Sequence, residues 1–176
     1  MAELDLPEHP VNATLVDTGP HCMLTLERAM THTAADLWAT LTERDTVGRW
    51  APFSPDRDLD SKGAVSLRQS DDLEANANPG KVLTAAVQRM LSIEWAGDRI
   101  EIELAPTADE TIVQLNHIFT EETLAPSLAA GWHICLQALD AVAGGARIPL
   151  VVGNAAHAAG WDALYDEYAR LLGFED

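Results

Sequence analysis

The chain has few cysteines and few basic residues for its length. Its 176 residues include two cysteines, Cys22 and Cys135, and 11 Lys and Arg against 28 Asp and Glu. Two cysteines are too few for a disulfide framework, so we expect buried, inert thiols in a reducing compartment. The net charge of −17 repels phosphate backbones and anionic lipid headgroups. Nucleic acid and membrane surfaces are therefore excluded as expected partners.

Long apolar runs are also missing. No stretch approaches the roughly 18 consecutive apolar residues that a membrane-spanning helix requires. The first ten residues are acidic, whereas a secretory signal peptide begins basic and continues apolar. We therefore expect a cytoplasmic protein.

Short motifs of catalysis and metal binding do not occur. The sequence has no Gly-x-Ser-x-Gly elbow, no glycine-rich phosphate loop and no histidine pair at the helical spacing of a zinc protease. Residues 56–60 begin like a calcium loop, but Ser61 and Leu67 stand where that loop needs Gly and Glu. The sequence predicts no metal and no cofactor.

What the chain does have is apolar material for one globular domain. Its hydrophobic fraction of 47% is enough to bury a sizeable core. Residues 1–20 carry three prolines and Gly19 without a sustained period, so we interpret them as an extended N-terminal arm. We place the domain at residues 21–145 and a linker with a C-terminal helical extension, packed on the domain, at 146–176.

The order of periodic segments predicts the elements of this domain. Alternation at residues 22–26 predicts a strand, and residues 33–41 and 43–50 predict two short helices. Short alternating segments between residues 62 and 119 predict about five antiparallel strands, with a turn at residues 76–80. A long amphipathic helix follows at residues 123–142, and a last helical face spans residues 161–172.

The residues that carry a family resemblance are spread along this order. They are the run from Trp38 to Glu43, Trp50, Leu115, His117, Gly131, Trp132, His133, Leu136 and Leu139. Together they resemble the activator of heat-shock-protein-ninety ATPase C-terminal-like family of the START, polyketide-cyclase and birch-allergen superfamily. The resemblance covers about residues 21–145. It implies an α+β helix-grip fold, in which a curved antiparallel sheet of about six to seven strands wraps around the long helix.

The resemblance also implies a cavity between the sheet and the long helix, closed at one end by the short helices. The side chains expected to line or fill it are Trp38, Trp50, Phe53, Trp95, Leu115, His117, Phe119, Trp132, Leu136 and Leu139. At ~24 cal/mol per Å³, an empty cavity of ~300 Å³ would cost roughly 7 kcal/mol, comparable to the stability of a whole domain. We therefore expect the space to be filled by these side chains or occupied by water or a ligand.

His117 is the polar member of the apolar face of the strand at Thr111–Phe119. Its imidazole either bonds a ligand hydroxyl or carbonyl or is satisfied within the core. Asp36, Glu43 and Glu94 are candidate carboxylate partners for an acid–base pair, although alternation with Ile93 and Trp95 predicts that Glu94 faces outward. On the long helix, His133 is expected at the margin of the apolar stripe. Gly131 is expected to let helix and sheet approach each other, while Trp132 fills the core.

The sequence favours a non-enzymatic protein that binds a small apolar or aromatic molecule, lipid-like or polyketide-like, in this cavity. The alternative is a cyclase, dehydratase or hydrolase-like enzyme in which His117 acts as acid or base. A weaker alternative is a protein-interaction or co-chaperone-like domain. We expect a monomer or a homodimer, with Tyr165 and Tyr168 as packing residues of the last helix or as a dimer face.

Overall fold

The computed structural model describes residues 10–70, 76–150, 152 and 154–175. Residues 1–9 of the predicted arm and residues 151 and 153 of the predicted linker lie outside these ranges. In chain order the elements are β1 (Ala13–Asp17), β2 (Cys22–Met30), α1 (Ala34–Thr42), α2 (Arg44–Val47), β3 (Phe53–Pro55), β4 (Gly63–Gln69), β5 (Asn78–Ala86), β6 (Met90–Trp95), β7 (Asp98–Pro106), β8 (Thr111–Phe119), a 3₁₀ turn (Glu122–Leu124), α3 (Ala125–Ala143), α4 (Asn154–Ala158) and α5 (Trp161–Leu171).

The described strands form one antiparallel sheet in the order β1-β2-β8-β7-β6-β5-β4-β3. β2 pairs with β8 over its whole length, so the first and last long strands lie side by side near the β1 edge of the sheet. β6 and β7 are joined by a two-residue hairpin turn, Ala96 and Gly97, both with positive φ (52° and 87°). Positive φ at both positions gives the turn a twist that matches the twist of the two strands. This tight turn places Asp98 at the first position of β7.

Two short edge strands raise the number of described strands to eight, above the six to seven predicted. Residues 13–17 belong to the predicted arm but form β1; only Ala13 is buried, so they show no alternation. β3 lies within a predicted loop and contains Pro55, which is tolerated because an edge strand pairs on one side only. The predicted turn at 76–80 is also shorter than expected, since its last three residues open β5.

The helices begin near the predicted positions. The Thr33 side chain accepts a hydrogen bond from the Asp36 backbone N–H at 3.1 Å, which caps α1. α3 packs against β2 and α1 on one side and against α5 on the other, so most of its circumference is buried. No described helix combines the length and the apolar character needed to cross a membrane.

The C-terminal extension packs on α3. Tyr168 of α5 is 1% exposed, and its hydroxyl lies 2.9 Å from Nδ1 of His133. His133 is therefore buried, and the prediction that it lies at the margin of the apolar stripe is wrong because α5 covers that side of α3. Tyr165 instead stacks on Trp161, with ring centroids 5.3 Å apart.

Candidate functional site

A pocket of about 320 Å³ lies beside the N-terminal half and middle of α3. Its walls come from α3, from two strands of the sheet, from the segment before β3 and from the C-terminal extension. Most of the lining side chains are aromatic or aliphatic: Pro52, Trp95, His117, Ser127, Leu128, Gly131, Trp132, Cys135, Val152, Ala156, His157 and Trp161.

Three of the ten side chains predicted for a cavity line this pocket, namely Trp95, His117 and Trp132. The other seven are buried elsewhere in the core: Trp38, Trp50, Phe53, Leu115, Phe119, Leu136 and Leu139. The indole N–H of Trp50, for example, donates to the Thr40 carbonyl at 2.9 Å and so connects the loop between α2 and β3 to α1. The pocket residues that sequence reasoning missed come mainly from the C-terminal extension and from the flank of α3.

His117 is buried between Trp132 and Asp98 at the wall of the pocket. The Trp132 indole N–H donates to Nδ1 of His117 at 2.8 Å. An indole nitrogen can only donate, so Nδ1 is unprotonated and the ring proton sits on Nε2. Nε2 in turn donates to Oδ2 of Asp98, also at 2.8 Å. Both ring nitrogens of His117 are thus used within the protein.

Strand register explains why Asp98 is the partner. Ile100 of β7 lies opposite His117 of β8, and side chains two residues apart share one face of a strand. Asp98 therefore faces the same side of the sheet as Ile100 and His117. The partner is none of the candidate carboxylates Asp36, Glu43 and Glu94, and Glu94 is exposed, as its alternation predicts. The alternation of Ile100, Ile102 and Leu104, extended two residues toward the N-terminus, places Asp98 on the same face and could have identified it as the partner of His117.

Burial lowers the pKa of His117 below its ordinary value, because the core solvates an imidazolium poorly. The hydrogen bond to Asp98 and the charge of that carboxylate oppose the shift but do not overcome it. Protonation of Nδ1 would also direct a second N–H against the Trp132 indole N–H. His117 is therefore neutral at pH 7 and holds Trp132 in a fixed orientation.

We expect stability to fall as the pH drops below about 6.5, the ordinary histidine pKa. The unfolded chain binds a proton there that the folded chain takes up only at lower pH, so His117 favours folding fully above this pH and progressively less below it. A His117→Gln variant, whose amide can donate and accept without titrating, should lack this component. Urea unfolding of both proteins at about pH 7.5 and pH 5.5 measures the difference. If the free energy of unfolding falls equally in the two proteins between these pH values, the lowered pKa of His117 does not contribute to the pH dependence.

Gly131 opens the pocket from the middle of α3. Apart from its chain neighbours and the backbone of its own helix, a Cβ built at this position would meet no described atom within 4 Å. The prediction that Gly131 allows close helix–sheet contact is therefore wrong, because the glycine faces empty space. A glycine inside a helix costs roughly 0.5–1 kcal/mol relative to alanine. At position 131 this loss of helix stability accompanies a larger pocket, because no side chain from this position fills the space.

The described residues that line the pocket include neither a reactive thiol nor a set of metal ligands. Cys135 lines it, but burial raises the pKa of this thiol to about 12, so the nucleophilic thiolate is scarce. Cys22 is also buried, and neither cysteine forms a disulfide. Among residues 10–70, 76–150, 152 and 154–175, no three His, Cys, Asp or Glu side chains gather as a set that could hold a metal ion.

Solved structures share this fold at low sequence identity. EF2215, a conserved protein of unknown function from Enterococcus faecalis, is 19% identical, with a TM-score of 0.71 over 93% of this chain and 92% of that one. CalU16 from Micromonospora echinospora is 20% identical, with a TM-score of 0.67 over 91% and 96%. DynU16, from the dynemicin biosynthetic locus, is 13% identical, with a TM-score of 0.61 over 70% of this chain and 48% of that one.

Sequence comparison shows the family. No curated protein sequence matches the chain. The model of one protein family, described as activator of Hsp90 ATPase homolog 1-like protein, matches residues 31–144. That match spans well over half of the 176 residues. The chain therefore belongs to the activator of Hsp90 ATPase homolog 1-like family.

Proposed function

We propose that the protein binds a small, largely apolar or aromatic molecule in the pocket beside α3. The observation that carries the proposal is the pocket itself, about 320 Å³ of space lined mainly by aromatic and aliphatic side chains. This volume lies at the lower end of the roughly 300–1,000 Å³ of small-ligand sites. Water in such a pocket contacts mostly apolar surface, so its release favours binding of an apolar ligand.

The bonding of His117 supports binding rather than catalysis. A general acid or base needs a ring nitrogen within reach of the proton that it transfers. Trp132 and Asp98 occupy both nitrogens, and burial lowers the pKa of the ring. In this proposal His117 acts as a support for the Trp132 wall, and the alternative of a His117-dependent enzyme has no comparable observation in its favour.

Charge and fold comparison narrow the ligand class. The net charge of −17 disfavours an anionic ligand and favours a neutral or cationic one. Among the structural neighbours, DynU16 comes from a biosynthetic locus, that of dynemicin, and this chain spans about half of its length. The net charge supports a neutral or cationic ligand, and the biosynthetic locus of that neighbour agrees with a small organic molecule.

Filling the pocket from Gly131 tests the proposal. Gly131→Leu directs a side chain into the empty space beside α3, where a Cβ meets no described atom. We expect the affinity for N-phenyl-1-naphthylamine, a neutral fluorescent apolar probe, to fall at least about tenfold, or ~1.4 kcal/mol. The variant should fold at least as stably as the parent, because leucine is a better helix former than glycine. Fluorescence titration and thermal unfolding measure the two quantities.

Ala35→Leu provides the matched control. Ala35 is exposed on α1 and does not line the pocket, so this variant adds a leucine to a helix without filling the site. It should bind the probe as the parent does. If Gly131→Leu and Ala35→Leu both retain full affinity, the probe binds outside this pocket and the proposed function fails.

A further inference from the structure

The indole N–H of Trp95 is a buried donor at the pocket wall. Trp95 is the last residue of β6 and lines the pocket, and its Nε1 is buried without a hydrogen-bond partner among the described residues. The indole N–H groups of Trp50 and Trp132, in contrast, donate to the Thr40 carbonyl and to His117. A buried polar group without a partner is destabilising and uncommon in folded proteins, so it requires an explanation.

Trp95 borders the pocket, where a ligand could supply the missing partner. The Trp95 ring is partly buried and lies tilted against the Phe53 ring, with centroids 5.0 Å apart. Ser127, half-buried on α3, lines the same pocket, and its hydroxyl makes no hydrogen bond to a described residue. His117 also lines the pocket, but both of its ring nitrogens are already hydrogen-bonded to Asp98 and Trp132.

We propose that the ligand carries a neutral acceptor oxygen, such as a ketone, quinone or ester carbonyl, to which the Trp95 N–H donates. This inference rests on the proposed function. Nε1 is buried in the structure, so this proposal includes a turn of the partly buried ring that brings its N–H to the ligand oxygen. A neutral oxygen fits better than a carboxylate, because Asp98 and Asp162 bond His117 and His157 at the pocket wall. The Ser127 hydroxyl can donate to or accept from a second polar atom of the ligand.

A pair of probes that differ only in the acceptor tests this assignment. 9-Fluorenone and fluorene share one three-ring skeleton, and only the ketone accepts a hydrogen bond. Trp95→Phe keeps an aromatic ring against Phe53 but removes the N–H. We expect this variant to bind fluorenone about fivefold to tenfold more weakly than the parent does, as for the loss of one hydrogen bond. Its affinity for fluorene should change less than about twofold.

The Trp95 indole resonance provides a second readout in the unaltered protein. In ¹H–¹⁵N spectra, fluorenone should move the Trp95 indole proton downfield to a hydrogen-bonded position, and fluorene should not. If Trp95→Phe fails to fold, this shift in the unaltered protein tests whether the Trp95 N–H donates to the ligand. If both probes bind the parent but the substitution affects them equally and no downfield shift occurs, the acceptor assignment is overturned while the proposed function stands. If neither probe binds the parent, the proposed function and the assignment both fail.

Discussion

Trp132→Ala is expected to lower the free energy of unfolding by about 3–5 kcal/mol, the usual cost of deleting a buried aromatic side chain. Trp132 is 3% exposed and lies between α3 and the sheet, where its ring also forms a wall of the pocket. The substitution removes this packing and leaves Nδ1 of buried His117 without its donor. Because whole domains are stable by only about 5–15 kcal/mol, the loss should be evident in urea unfolding.

Two conservative substitutions separate packing from hydrogen bonding. Trp132→Phe keeps a ring but removes the indole N–H, and His117→Phe removes the acceptor; each leaves one buried group unpaired at a cost of about 1–3 kcal/mol. The double variant leaves neither Nδ1 nor the indole N–H unpaired, so it should be less destabilised than the sum of the single variants. Additive losses would show that the 2.8 Å contact between the two rings contributes no coupling energy.

Asp140→Ala is expected to cost roughly 3 kcal/mol, because it removes the carboxylate from a mostly buried ion pair. Asp140, near the C-terminal end of α3, accepts from Nη2 of Arg28 on β2 at 3.0 Å, and its other oxygen lies 2.7 Å from Nε2 of His32. The Arg28 side chain is 7% exposed. Asp140 is 28% exposed, which places the expected loss at the lower end of the range for buried pairs.

Glu101→Ala is the control for Asp140→Ala. Glu101 pairs with Arg99 at 3.0 Å, but the Arg99 side chain is 50% exposed, so water can replace the lost partner. We expect a loss below about 1 kcal/mol. Urea unfolding of both variants compares them directly. Similar small losses in the two would show that the Arg28–Asp140 pair does not hold the end of α3 against β2.

Segments with one buried face could be predicted well from the sequence. The strand at Thr111–Phe119 has the predicted bounds, because large inward side chains alternate along it and turn residues flank it. β1 could not be predicted in this way. It is an edge strand in which only Ala13 is buried, so hydrogen bonding to β2 rather than a hydrophobic pattern determines its structure. Edge strands of this kind lack the periodic signal on which the sequence prediction depended.

The pocket was less predictable, because periodicity identifies the face of an element but not the point at which packing leaves a space. Alternation identifies His117 as the polar residue of an apolar face, but its two partners depend on strand register and on the placement of α3 against β8. Trp38 and Trp50 show the same limit, since both are buried away from the pocket. Trp161 lines the pocket from α5, and nothing in the pattern indicates where a separate terminal helix will dock.

The five tryptophans allow the central claim, that an apolar ligand binds beside α3, to be tested in one titration. Trp95, Trp132 and Trp161 line the pocket, whereas Trp38 and Trp50 do not. The measurement is a ¹H–¹⁵N titration of the indole N–H signals with N-phenyl-1-naphthylamine. We predict saturable shifts of the three pocket signals with the other two unchanged. No saturable shift, or shifts confined to Trp38 and Trp50, would contradict the account.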